Sequence, residues 1–112
     1  MPLRVGCDIV FISLFQERLN ASGDLLADRI FHPGESAGAS AERLAGVFAA
    51  KEAACKALNL PAGAWLDILI EHDPRGAPMV AFLEPKPWIR EITVSISHAG
   101  DYAIAMLAAV IE

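Results

Sequence analysis

Ala41-Glu42-Arg43-Leu44-Ala45-Gly46-Val47-Phe48-Ala49-Ala50-Lys51-Glu52-Ala53-Ala54-Cys55-Lys56-Ala57-Leu58-Asn59-Leu60 is the stretch on which the rest of the chain must be arranged. Alanine fills much of it, and Leu44, Phe48, Cys55 and Leu58 fall on one helical face, so one long helix is expected from Ala41 to about Leu60. Ser40 stands as its N-cap, with Arg43 where a capping box would place Glu or Gln, and Pro61 and Gly63 stop it. With Leu44 at zero, helical geometry puts Phe48 at about +40°, Cys55 at about +20°, Leu58 at about −40° and Lys51 at about −20°. Lys51 thus lies inside the apolar stripe, where a cation needs a partner or a ligand, or must snorkel to water. Glu52 and Lys56 are spaced i and i+4, a pair that is ordinarily a solvated face.

Before this helix, Leu3 to Val10 is a short apolar run rich in β-branched residues, read as a strand, with Asp8 near its end. A carboxylate inside such a strand is costly unless it is paired, hydrogen-bonded or metal-bound. Phe11 to Asn20 fits a short helix, Asp24 is placed to cap a segment running to about Phe31, and Pro33-Gly34 closes that piece. Beyond the helix the period changes. Trp65 to His72 alternates as a strand, Asp73-Pro74-Arg75-Gly76 is a turn, and Pro78 to Leu83 returns as the second arm of a hairpin. After Glu84-Pro85-Lys86-Pro87, Ile92, Val94 and Ile96 alternate with Thr93, Ser95 and Ser97, and Tyr102 to Ile111 follows across His98-Ala99-Gly100-Asp101. The expected class is α+β: an N-terminal strand, helices, then an antiparallel meander packed on the long central helix, in one domain spanning 1–112.

Composition narrows the function. The 112 residues are 54% hydrophobic, and adding the 8 Gly raises the apolar share above that of an ordinary domain. A domain this short hides such a surplus poorly, so self-association is its natural outlet, although 20 of these residues are Ala, which tolerate a surface. A net charge of −5 argues against a nucleic-acid or anionic-membrane binder, and no apolar run is long enough to span a bilayer, so a cytosolic protein is expected. Cys7 and Cys55 are too few for a disulfide framework and lack zinc-ligand spacing.

Asp8 and Glu52 supply two carboxylates able to hold a hard divalent cation, Lys51 and Lys56 supply charge to meet phosphate, and His98 supplies an imidazole where a strand enters a turn. Magnesium takes one or two carboxylates and leaves its remaining positions to water and substrate phosphates, which suits phosphoryl transfer. No Walker loop and no G-x-G-x-x-G is present.

Read together, Gly6-Cys7-Asp8-Ile9-Val10, Arg29-Ile30-Phe31 with Glu35, Phe48-Ala49-Ala50-Lys51-Glu52-Ala53 with Lys56-Ala57, Trp65-Leu66-Asp67-Ile68, Gly76-Ala77-Pro78 and Ser95-Ile96-Ser97-His98 carry a resemblance over nearly the whole chain. The sequence resembles the small holo-acyl-carrier-protein synthases, the AcpS-type 4′-phosphopantetheinyl transferases. The resemblance implies the fold of that family and transfer of 4′-phosphopantetheine from coenzyme A to a serine of an apo acyl carrier protein, releasing 3′,5′-ADP. It also implies Asp8 and Glu52 as ligands of Mg²⁺, Lys56 at the phosphate and leaving group, Lys51 and His98 near the coenzyme, and a homotrimer with active sites between subunits. Asp8, Glu52 and a metal-bound water all stand as the base for the serine proton. Leu14 and Val47 occupy positions where the family commonly carries Arg, Asn59-Leu60-Pro61 replaces a Gly-rich continuation, and His32 replaces Thr or Ser. Those departures motivate a second reading, a homologue that binds coenzyme A or a carrier without transferring; a Mg-dependent nucleotide pyrophosphate hydrolase is a distant third.

Overall fold

The computed structural model describes residues 1–112. Strand β1 (Leu3–Phe11) leads directly into helix α1 (Ile12–Ala21), followed by the short helices α2 (Leu25–Ile30) and α3 (Pro33–Ser36) and the long helix α4 (Ala41–Leu58). A 3₁₀ turn (Ala64–Asp67) then precedes β2 (Ile68–His72), β3 (Pro78–Phe82), β4 (Ile89–Ala99) and β5 (Tyr102–Ile111). The α+β class and the central helix are as expected, and the strands divide into two sheets: β1-β5-β4, fully antiparallel, and the hairpin β2-β3. The N-terminal strand therefore joins the last strand of the chain, a pairing that no local pattern announces.

Helix α4 lies against the inner face of the larger sheet and is buried over most of its circumference, with Ala45, Ala49, Ala50, Ala53 and Ala54 all without solvent contact. This explains its many alanines: they let neighbouring elements approach from several sides. Two glycines mark where it crosses the sheet. A Cβ on Gly46 would come within 2.8 Å of the Ile96 side chain in β4, and a Cβ on Gly6 of β1 within 2.0 Å of the Ala53 carbonyl oxygen. The helix thus starts over β4 and ends over β1. Ser40 caps it as expected, its hydroxyl accepting from the Arg43 N–H at 3.1 Å. The helix stops at Leu58, two residues short of the expected end, because Asn59 turns left-handed (φ 53°) and closes the last turn onto the Cys55 carbonyl.

Three local expectations need correction. Asp24 stands at the start of α2 but makes no side-chain cap; Ser22 Oγ accepts the Leu26 N–H instead. Pro33 opens a helix rather than closing one, since its fixed φ and missing N–H suit a first helical position, and Glu35 reaches back to the His32 N–H at 2.8 Å. Residues 65–67 belong to the 3₁₀ turn rather than to a strand, and the Trp65 carbonyl there accepts from the Ile68 N–H and from the Lys51 ammonium.

Strand alternation leaves the outer face of the larger sheet uncovered. Leu3, Val5, Ile9 and Phe11 of β1 stand exposed beside Tyr102, Ile104 and Met106 of β5, with Phe11 packed on Tyr102 and Ile9 opposite Ile104 in register. No helix of the structure is long and apolar enough to cross a membrane.

Candidate active site

Gly6 lets β1 lie directly on α4, and the next inward-facing residue of β1 is Asp8. Lys56 reaches it from the last turn of α4: its ammonium donates to Asp8 Oδ1 at 3.0 Å and to the Cys7 carbonyl at 3.0 Å. Lys56 therefore pairs across to the strand and makes no ion pair along the helix with Glu52. The hydrogen bond to Asp8 raises the Lys56 pKa above its ordinary value despite the opposing desolvation, and the charges of Asp8 and Glu52 push it the same way. The structure thus joins Lys56 to Asp8, and Glu52 lies one turn earlier on the same helix. Burial, reinforced by the Glu52 charge, pushes the neighbouring Cys55 thiol up, away from the thiolate form.

Asp8 and Glu52 are the residues that could hold a magnesium ion. No three His, Cys, Asp or Glu side chains form a group able to hold a metal by themselves. Two carboxylates and an adjacent ammonium instead match a hard cation that completes its shell with water and phosphate oxygens.

Lys51, expected near the coenzyme, is fully buried. Its side chain has 0% exposure, and its ammonium donates to the Ile30 carbonyl at 2.6 Å, to Glu35 Oε1 at 2.7 Å and to the Trp65 carbonyl at 3.1 Å. All three protons are used, so no donor is left for a ligand. The apolar-stripe position correctly called for a partner, and that partner is Glu35, whose other oxygen accepts the Ile70 N–H at 2.9 Å. Desolvation lowers the Lys51 pKa, opposed by the hydrogen bond and charge of Glu35. The role of Glu35 escaped sequence reasoning; the available cue was a Glu three residues after His32, across Pro33, which is the helix-start pattern.

His98 is not brought to Asp8 within one chain. Both side chains share the inner face of the sheet, but β5 separates their strands, and two strand spacings amount to about 10 Å. His98 instead faces Glu42 at 3.5 Å across the first turn of α4. Both line a cavity of about 680 Å³ walled by the loop before α4, the start of α4, the β2-β3 turn and the end of β4. Arg43, His72 and Val47 line it as well, and none had been singled out for a cavity. Val47 is buried and Leu14 is exposed on α1, so the two positions lacking the expected Arg have unlike surroundings.

The two clusters lie towards opposite ends of α4, held by a sheet order and helix crossing that known proteins share. The model of the 4′-phosphopantetheinyl transferase superfamily matches residues 4–107. The chain belongs to that superfamily. Within it the chain is 40% identical to the holo-acyl-carrier-protein synthase of Campylobacter curvus over 91% of its own length and 96% of the relative's. It is 39% identical to that of Sulfurovum sp. over 95% of each. Helicobacter pylori holo-acyl-carrier-protein synthase, solved in complex with coenzyme A, superimposes with a TM-score of 0.87 at 31% identity, covering 95% of this chain and 99% of that one. These matches place the chain among the phosphopantetheinyl transferases as an enzyme and account for its α+β architecture.

Proposed function

We propose that this protein transfers 4′-phosphopantetheine from coenzyme A to the serine of an apo acyl carrier protein in a Mg²⁺-dependent reaction that releases 3′,5′-ADP. The observation that carries the reading is the pairing of Asp8 with Lys56 where Gly6 seats β1 on α4, with Glu52 one helical turn before Lys56. In this reading Asp8 and Glu52 hold the ion, which when bound neutralises and orients the diphosphate of coenzyme A. Lys56, exposed and kept protonated by its acidic neighbours, leans from the Cys7 carbonyl and Asp8 towards the phosphate and offsets charge on the departing 3′,5′-ADP. The serine oxygen gives up its proton to a base of this cluster and bonds to the β-phosphorus as the bond from that phosphorus to the bridging oxygen breaks, the bridging oxygen leaving with 3′,5′-ADP.

His98 joins this site only from another copy. The apolar outer face of the sheet supports self-association, and we assign the chain the homotrimer that the resemblance implies, in which the cavity carrying His98 faces the acidic cluster of a neighbouring protomer. Sedimentation equilibrium should then give three chains per particle, and Ile104→Glu, which puts a charge on that face, should give one; a monomeric native protein would remove the assembly.

Mass spectrometry of an apo carrier protein incubated with the enzyme, coenzyme A and Mg²⁺ should show the phosphopantetheine increment. Absence of the increment across several carrier types would count against the transferase. Asp8→Ala and Glu52→Ala should each lower the metal-dependent rate by about 10²-fold or more without altering the assembly. Full activity in both variants would remove the metal assignment.

A further inference from the structure

The β2-β3 hairpin is pinned at its base and lightly tied at its tip. At the base the Ile70 N–H donates to Glu35 Oε2 at 2.9 Å, the Leu83 N–H to the Asp67 carbonyl at 2.9 Å and the Glu84 N–H to Asp67 Oδ1 at 2.8 Å. Ile68 and Ile70 belong to the core, and Val80 and Phe82 pack against it. At the tip the paired residues are His72 and Pro78, and both border the 680 Å³ cavity. The turn beyond them is a unit of its own. Asp73 Oδ1 accepts the Arg75 and Ala77 N–H groups at 2.8 and 2.9 Å, and the Asp73 N–H donates to the Ala77 carbonyl at 2.9 Å. From Glu71 to Phe82 a single hydrogen bond leaves the hairpin: the Arg43 guanidinium of α4 donates to His72 Nδ1 at 3.0 Å.

A guanidinium only donates, so Nδ1 accepts and the imidazole is neutral, with its proton on Nε2. A second proton would occupy Nδ1, end its capacity to accept, and set two cations against each other at hydrogen-bond distance. We propose that the hairpin tip is a flap over the cavity, latched to α4 by Arg43 and His72, and that the latch releases when His72 takes up a proton. The charges around His72 offer no substitute for the latch. Asp73 turns Oδ1 to its own loop, and Arg75 is exposed in that loop. Glu35 of α3 is held by Lys51 and by the Ile70 N–H. Glu42 of α4 faces His98 of β4 at 3.5 Å, a contact that protonation strengthens. Burial, then the Arg43 charge, push the His72 pKa down against the pull of Asp73, so the ring is neutral and the flap closed at neutral pH. The latch is complete above the ordinary imidazole value of 6.5 and gives way as pH falls through the lower folded value. The device lies within one chain and stands apart from the transferase reading.

The test is nuclear magnetic resonance of the full chain carrying a nitroxide on the turn, at Arg75→Cys in a Cys7→Ser background, with the buried Cys55 left in place. In the closed state the nitroxide broadens the amides of Gly38, Ser40 and Gly46 on the facing wall of the cavity. Lowering the pH from about 8 to about 5 should reduce that broadening about twofold or more, with a midpoint that matches the titration of the His72 ring. His72→Asn, whose side-chain oxygen accepts in place of Nδ1 and does not titrate, should hold the closed level throughout. Arg43→Met should show the reduced level at every pH. Broadening that ignores pH while His72 and Arg43 are both present would overturn the flap. A pH response that survives His72→Asn would overturn His72 as the sensor, and one that survives Arg43→Met would overturn the latch. Unfolding in acid reaches every variant alike and so falls under these last two results.

Discussion

Lys51 and Lys56 stand five residues apart on α4, about 140° round its axis, and meet opposite surroundings. Lys51 points between α2, α3 and the 3₁₀ turn, where it has no solvent contact, all its protons are bound, and desolvation lowers its pKa. Lys56 points past β1, where its side chain is 57% exposed and its hydrogen bond to Asp8 raises its pKa. One helix thus carries a cation that ties the interior together and another that stays open to a ligand. The difference comes from what packs on each side, because the flanking sequence is alanine-rich around both.

The contrast has opposite consequences for stability against pH. Relative to the ordinary value of 10.5, the folded state releases the Lys51 proton earlier than the unfolded chain does, so this residue makes stability rise with pH from its lowered value up to 10.5. The raised Lys56 contributes stability that is complete below 10.5 and is lost as pH climbs through its folded value.

The sharpest way to break the comparison is Lys51→Met. It strands Glu35, whose side chain is only 5% exposed, and should cost about 3–5 kcal/mol in urea unfolding at fixed protein concentration. Adding Glu35→Leu should restore part of this, but not all, because the Ile70 N–H loses its acceptor. A loss below about 1 kcal/mol for Lys51→Met would deny the lysine its interior role.

The open end is disturbed by Gly6→Ala, which drives a methyl into the Ala53 carbonyl and should cost about 1–3 kcal/mol while moving Asp8 away from Lys56. Gly46→Ala meets only the tip of Ile96, a side chain that can shift, and should cost less. The same or larger loss at Gly46 would contradict the seating of β1 on α4.

The smallest expected effect is Asp8→Asn. It removes the charged acceptor of an exposed lysine, so stability should change little, while NMR titration of the Lys56 side chain should show its pKa falling towards the ordinary value. An unchanged Lys56 pKa would mean that Asp8 is not its partner in solution.

Much of this was legible beforehand because it depends on local patterns. Apolar periodicity located the central helix, alternation located β4 and β5, and Ser40 announced the cap. The position of Lys51 within the apolar stripe announced a buried cation, but not its partner, which comes from a segment 16 residues earlier. The motif that includes Lys51 made it look like a coenzyme ligand, and its three acceptors tie its ammonium to the interior. The alternation of Trp65 to His72 misled at its start because the Trp65 carbonyl is committed to a 3₁₀ turn and to Lys51.

By itself the sequence determined the element types, the family and the residues able to carry the chemistry, since propensity, period and motif spacing act over a few residues at a time. Tertiary structure decided which of those residues meet. It paired β1 with β5, set Asp8 against Lys56, enclosed Lys51 with Glu35, and separated His98 from Asp8 by a strand. Those outcomes depend on how closely backbones approach and on how much water remains, quantities that exist only after distant segments have packed.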